Sequence, residues 1–102
     1  MRSEALGLAS ALLDSPKELV VRCRHLLRLV RALDLDLDRD DLLIFRAVDS
    51  EGDRWPVGVD AERLDSTYQR RCETEMQDYS QAVWAEVRGG CRAVQALLSP
   101  PN

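Results

Sequence analysis

The chain has 102 residues, a formal net charge of −4 and 45% hydrophobic residues, which suits one domain with a single core. The negative charge argues against nucleic-acid binding, because such binding needs a basic face. No run approaches the ~18 apolar residues of a membrane span. Three cysteines without a Cys-x-x-Cys pair, and an N-terminus unlike a signal peptide, predict a cytoplasmic protein without a disulfide framework.

Two helices are predicted in the first third of the chain. A short helix covers residues 3–13. The next covers 16–33, with Ser15 as its N-cap, Pro16 in its first turn and Glu18 completing a capping box. Its apolar residues recur at helical spacing and form one stripe: Leu19, Cys23, Leu26, Leu27, Val30 and Leu33.

The segment 33–41 reads LDLDLDRDD and predicts an acidic surface loop. Aspartates are unfavourable at a helix C-terminus, so the run should end the preceding helix. Its Asp-x-Asp-x-Asp spacing resembles the start of an EF-hand. Arg39 stands where that motif needs Gly, and Phe45 where it needs a bidentate Glu, so no calcium site is predicted in this loop.

A small hairpin is predicted over 42–57. Residues 42–48 read LLIFRAV, a short apolar run of strand-forming residues. The DSEGD sequence at 49–53 predicts a turn. Residues 54–57 then return as an edge strand, because Pro56 cannot donate to a ladder.

The last element is a long helix over 61–98, interrupted by Gly89-Gly90, where a kink or break is expected. Unbroken, it would extend about 57 Å. That exceeds the ~30 Å expected of a compact body of this mass. We therefore expect either a break or a homodimer in which the helix end packs on a second chain. The elements together predict an α+β domain, predominantly helical, with two to three helices packed on the hairpin.

The acidic turn is the leading candidate site. Asp49, Glu51 and Asp53 alternate, so an extended backbone would point all three the same way. Three carboxylates can hold a hard cation or meet an arginine on a partner. The ordinary alternative is a polar turn in which Asp49 and Ser50 bond nearby backbone N–H groups.

A basic ridge and one tryptophan are further candidates for partner or ligand binding. Arg24, Arg28 and Arg31 lie at i, i+4 and i+7, away from the apolar stripe. The ridge suits a phosphate or an acidic partner; alternatively it is a solvated face paired with the 34–41 loop of the same or a second chain. Trp55 either packs over the helices or stands exposed as an interface anchor.

No catalytic residue, metal ligand set or cofactor site is predicted. His25 is the only histidine, and no Gly-x-Ser-x-Gly elbow accompanies Ser50. Cys23 and Cys72 fall within apolar stripes, where a free cysteine behaves as a small hydrophobe. Cys91 lies at the edge of its stripe and is expected to be the most reachable of the three.

The central segment resembles a family of short, uncharacterised bacterial proteins with a central Asp-Ser-Glu-Thr-Asp run followed by Pro-x-Gly. The resemblance spans roughly residues 15–95 and places Gly52 where the family has Thr. It implies a bacterial origin and supplies no activity. The residues that carry it are Val48-Asp49-Ser50-Glu51, Asp53, Pro56-x-Gly58, Cys23-Arg24, Tyr79 and Cys91-Arg92.

We therefore expect a non-enzymatic cytosolic interaction module, immunity- or adaptor-like, that binds an unidentified basic protein and forms a homodimer. Charge and size are the basis of this expectation. The alternative is a metal- or phosphate-ligand domain that uses the carboxylates of residues 49–53, with or without catalysis. Nucleic acid and membrane are not expected partners.

Overall fold

The computed structural model describes residues 1–55 and 66–99, which form four α-helices and no strand within those ranges. The helices are α1 (Arg2–Asp14), α2 (Leu19–Ala32), α3 (Leu43–Gly52) and α4 (Ser66–Leu98). The protein is an all-α helical bundle, so the predicted α+β class is wrong. Within the described residues, no helix combines the length and apolar character needed to cross a membrane.

The predicted hairpin is wrong because its first strand and its turn are one helix, α3. Leu42, Phe45 and Val48 are fully buried at three-residue spacing, whereas Arg46 and Ala47 between them are exposed. That is the burial pattern of a helix face. Strand propensities of residues such as Phe and Val are weak preferences, and packing against α2 and α4 outweighs them. The end of the predicted return strand, 56–57, lies outside the described residues.

The start of α2 differs from the predicted capping box. Residues 16–18 form a turn in which the Leu19 N–H bonds Pro16 O at 3.1 Å, and α2 begins only at Leu19. Ser15 Oγ accepts the Lys17 N–H at 3.1 Å. Glu18 takes a left-handed backbone conformation (φ 54°) and makes no side-chain cap, so the box cannot close.

The end of α2 directs the acidic loop outward. The Leu35 N–H bonds Val30 O at 3.2 Å and the Asp34 N–H bonds Arg31 O at 3.1 Å, which together form a Schellman motif. Asp34 occupies the left-handed position of that motif with φ 63°. Leu35 turns back onto the core, while Asp34 is exposed. The predicted acidic loop is therefore present, with its apolar residues inward.

Helix α4 runs through Gly89-Gly90 as one continuous helix, so a break at these glycines, one of the two predicted outcomes, does not occur. At Gly90 an added Cβ would lie 2.9 Å from ring atoms of Phe45, whereas at Gly89 it would meet nothing within 4 Å. The missing side chain at Gly90 thus allows α4 to lie close to α3. The molecule measures 52 × 23 × 23 Å, and a helix of this length, about 50 Å, spans its long axis. The homodimer stays a prediction.

Helix α1 lies against the C-terminal half of α4. Trp84 Nε1 donates to Leu12 O at 2.7 Å, and Gln95 Nε2 donates to Ser10 Oγ at 3.3 Å. Ala5, Ala9 and Leu12 of α1 are fully buried. The small side chains at two of these positions permit close packing of the two helices.

The three cysteines are free and buried. Burial raises the pKa of the Cys91 thiol to about 12, and burial together with nearby Cys91 raises that of Cys23 further. Cys91 is fully buried, so the expectation that it is the most reachable cysteine is wrong.

Candidate functional site: two acidic surfaces on α3

The predicted acidic turn is the C-terminal end of α3, where a helical backbone changes which carboxylates share a face. At about 100° per residue, Asp49 and Asp53 lie one turn apart on one side, and Glu51 points elsewhere. The expectation that all three point the same way is wrong. Ser50 between them is exposed.

Arg24 of α2 lies between these two aspartates. Its Nε is 3.2 Å from Asp49 Oδ1, and its Nη2 contacts Asp53 Oδ1 and, at 3.3 Å, the backbone oxygen of Asp49. Gly52 makes this approach possible, since a Cβ there would lie 2.7 Å from Val20 Cγ1 and 3.3 Å from Arg24 Nε. We call this contact, formed by Arg24, Asp49 and Asp53, the arginine clamp.

The clamp argues against a cation site built from the carboxylates of residues 49–53 alone. Arg24 already supplies the positive charge for two of them, and Glu51 Oε2 lies 3.6 Å from Arg54 Nε. A metal ion would have to displace the guanidinium of Arg24. Among the described residues, no cluster of three or more metal-ligating side chains occurs.

Trp55 belongs to the core. It is 4% exposed, its ring lies 5.4 Å from that of Tyr79, and its Nε1 donates to Glu75 Oε2 at 3.2 Å. The guanidinium of Arg54 lies 5.6 Å from the Trp55 ring centroid. These contacts fasten the chain after α3 to α4 and leave little indole surface for a partner.

Only one of the three arginines in the predicted basic ridge belongs to the clamp. Arg24 is engaged, while Arg28 and Arg31 are exposed and make no ion pair with any described residue. His25 lies beside the ridge with its Nε2 3.0 Å from Glu4 Oε1 of α1. A cavity of about 340 Å³ opens on this face beside Val21. The 34–41 loop of the same chain does not neutralise Arg28 or Arg31.

A second acidic surface lies at the other end of α3, and the sequence analysis missed it. Here α3 and α4 border a groove of about 400 Å³. We call it the acidic groove. The residues that line it are Asp40, Asp41, Leu43, Ile44, Ala47, Glu86, Gly89 and Gly90.

The carboxylates around this groove are less completely neutralised than those of the clamp. Asp41 is held by Arg39, with N···O distances of 2.9 and 3.0 Å, and this hydrogen bonding lowers the pKa of the Asp41 carboxyl. Asp38 pairs with Arg46 at 3.0 Å. Asp40 and Glu86 of the groove make no ion pair with a described residue, and neither do Asp34 and Asp36 of the acidic loop that precedes it.

The signal that could have revealed this groove is the spacing of Leu43 and Ala47. Four residues apart on a helix, they share a face, and that face is not the one containing Leu42 and Phe45. Together with the groove beside them, Leu43 and Ala47 form a short apolar strip on the outer face of α3. Assigning residues 42–48 to a strand concealed this, because a strand places Phe45 on the same face as Leu43 and Ala47. In the helix, Phe45 is buried while Leu43 and Ala47 are exposed.

Comparison of the chain with family models, curated proteins and solved structures finds no match. The resemblance in the central segment therefore stays a prediction, and with it the bacterial origin.

Proposed function

We propose that this chain is a non-enzymatic interaction module, adaptor- or immunity-like, that binds a basic protein through the acidic loop and the acidic groove. The observation that carries the proposal is the set of exposed carboxylates that make no ion pair with a described residue, beside a groove lined by exposed Leu43. Aspartates concentrated on one exposed loop create a local negative potential that accelerates the approach of a basic surface.

The position of the loop supports the proposal. The Schellman motif at Asp34 turns the chain outward, and Asp36 Oδ1 accepts the Asp38 N–H at 3.0 Å. These local bonds fix the loop backbone without consuming the negative charge of Asp34 or Asp40. A preformed surface loses less conformational entropy on binding than a disordered one.

The alternative of a metal or phosphate ligand at residues 49–53 is not favoured by the clamp, because Arg24 and Arg54 occupy the carboxylates there. A phosphate would also meet Asp49 and Asp53 beside Arg24. The expected homodimer is compatible with the proposal, since a basic partner does not need the exposed Arg28–Arg31 face.

The test measures binding of a fluorescent oligolysine peptide by anisotropy at two salt concentrations. The double variant Asp36→Asn/Asp40→Asn removes two charges from the acidic loop. The control, Asp14→Asn/Asp78→Asn, removes two exposed charges elsewhere. At about 0.2–1 kcal/mol per exposed charge, we expect roughly 2- to 30-fold weaker binding for the loop variant alone. Equal losses in both variants would show only net-charge attraction and would contradict the proposal.

A further inference from the structure

We infer that the acidic groove holds one face of a basic amphipathic helix from the partner, with an apolar side chain against Leu43 and Ala47. This inference rests on the proposed function and names the part of the partner that the groove recognises. Helices commonly bind in this way, with apolar anchors in a groove and charged residues at its rim.

The apolar part of the groove comes from α3. Leu43 is 42% exposed, Ala47 is exposed, and Ile44 is half-buried between α3 and α4. Leu43 and Ala47 lie one helical turn apart and form a short outward stripe. An exposed apolar strip beside a concavity gives a partner side chain a place to be desolvated, which is where binding energy concentrates.

The two adjacent glycines of α4 differ in what they contribute to the groove. Gly90 faces inward, where a Cβ would clash with Phe45, so the packing within the chain accounts for it. Gly89 is exposed, and a Cβ there would meet nothing within 4 Å. An open helical glycine is not by itself a site, because Gly7 in α1 is equally open. Gly89 differs in lining the groove, where a missing side chain lets another helix approach closely.

The charges around the groove select a cationic helix. Asp40 lies just before α3 and Glu86 lies on α4, so carboxylates come from both elements that border the apolar strip. A helix with lysines or arginines beside its apolar residues would place positive charges next to both. A second copy of this chain has its own basic face, but each copy carries −4, which opposes their approach at long range.

The test compares two peptides of identical lysine and leucine content. One has leucines at i, i+3, i+4 and i+7, and the other has the same residues scrambled. We expect the amphipathic peptide to bind wild-type protein about tenfold more tightly than the scrambled one. Gly89→Gln places a neutral side chain in the groove and replaces a helical glycine by a better helix former, so the fold is not at risk. It should abolish the preference.

The control for this substitution is Gly7→Gln, which adds the same side chain at an open helical glycine outside the groove and should leave the preference intact. Oligolysine binding should be unchanged in Gly89→Gln, because no charge is altered. If both peptides bind wild-type protein equally while oligolysine binding still depends on Asp36 and Asp40, the groove inference fails and the proposed function stands. If oligolysine binding is also independent of these residues, both fail.

Sedimentation of the same variants tests whether the groove instead binds a second copy of this chain. Wild-type protein that self-associates, and Gly89→Gln protein that is monomeric, would identify a second copy as the helix in the groove and overturn the inference. Unchanged sedimentation, together with the lost peptide preference, supports it.

Discussion

Both ends of α3 carry carboxylates, and the two ends differ in what surrounds these groups. At the C-terminal end, Asp49 and Asp53 face Arg24, and Gly52 lets α2 close over the backbone. At the N-terminal end, Asp40 has no ion pair among the described residues, and the exposed glycine Gly89 leaves a groove. The carboxylates of the first end are paired within the chain, and those of the second present charge to solvent.

The difference shows that an acidic sequence alone does not identify a binding surface. What matters is whether basic side chains of the same chain pair with its carboxylates. The segment 49–53 has the more suggestive sequence, yet its negative charge is matched by arginines of the same chain. The 34–41 loop lacks key residues of an EF-hand, yet three of its five aspartates make no ion pair with a described residue. Variants that separate the two ends test this distinction.

Phe45 lies between the two ends, and its removal should have the largest effect. Phe45→Ala removes a fully buried ring that contacts Gly90, and we expect a loss of about 3–5 kcal/mol in the free energy of unfolding. Urea denaturation monitored by circular dichroism measures it. Leu43→Ala, two residues earlier on the open face, should change stability by no more than about 0.5 kcal/mol. Similar losses would mean that the outer face of α3 is also packed.

Alkaline pH should destabilise the folded protein through its buried thiols, Cys23 and Cys91. The folded-state pKa values of Cys23 and Cys91 lie above the ordinary value of 9.0, so their contribution is complete below pH 9 and is lost as pH rises through the folded-state values. Above pH 9, the unfolding free energy should fall by about 1.4 kcal/mol per pH unit for each thiol.

The measurement is urea unfolding of wild-type protein and of Cys23→Ala/Cys91→Ala at increasing pH. The raised pKa of Tyr79 contributes to both slopes, so the slope difference reports the thiols. The double variant should have the shallower slope. Parallel slopes would mean that the two thiols are accessible in the folded protein.

The adjacent glycines of α4 should respond oppositely to the same substitution. Gly90→Ala places a Cβ 2.9 Å from the Phe45 ring, and we expect a loss of about 1–2 kcal/mol after the gain in helix propensity is subtracted. Gly89→Ala meets no neighbour and should gain up to about 1 kcal/mol. Thermal melts of the two variants check the signs. A loss at both positions would indicate that Gly89 is needed by the fold and not by a partner.

Arg24→Met should have the smallest effect on stability and should make the two ends of α3 more alike. The aspartates of the clamp are 42% and 78% exposed and can be resolvated, so we expect a loss of about 1 kcal/mol. Freed carboxylates should also raise oligolysine affinity severalfold. Arg92→Met removes the same charge from an exposed position without freeing the clamp. If it raises the affinity equally, the clamp does not neutralise its aspartates.

The apolar stripe of α2 was predictable because its residues repeat at helical spacing: five of the six predicted residues are buried, and Leu33 is half-buried. Helix α3 has only ten residues, so its helical spacing of buried residues is a weaker signal. Its Ile, Phe and Val side chains also favour a strand. Helix α2 begins at Leu19, three residues after the predicted start, because Glu18 adopts a left-handed conformation. No sequence motif at 15–18 indicates that conformation.

The site was harder to predict than the helices. The sequence indicated the carboxylates of 49–53 as a candidate site and 34–41 as an ordinary acidic surface loop. The arginine that faces the first set is distant in sequence, since Arg24 lies 25 positions from Asp49. Only the tertiary structure shows which carboxylates are neutralised. The roles of Gly89 and Gly90 likewise depend on the direction each faces, because Phe45 approaches only one of them.

The packing of α1 on the C-terminal half of α4 has a consequence for the order of folding. Trp84 donates to the carbonyl of Leu12, a contact that closes 72 positions of chain, and Arg2 reaches the carbonyl of Leu98. Contacts between distant segments form late, because the entropy of the intervening loop must be lost first. A ribosome-bound chain that ends before Trp84 should therefore leave Ala5, Ala9 and Leu12 without their cover, and proteolysis of stalled nascent chains would detect it.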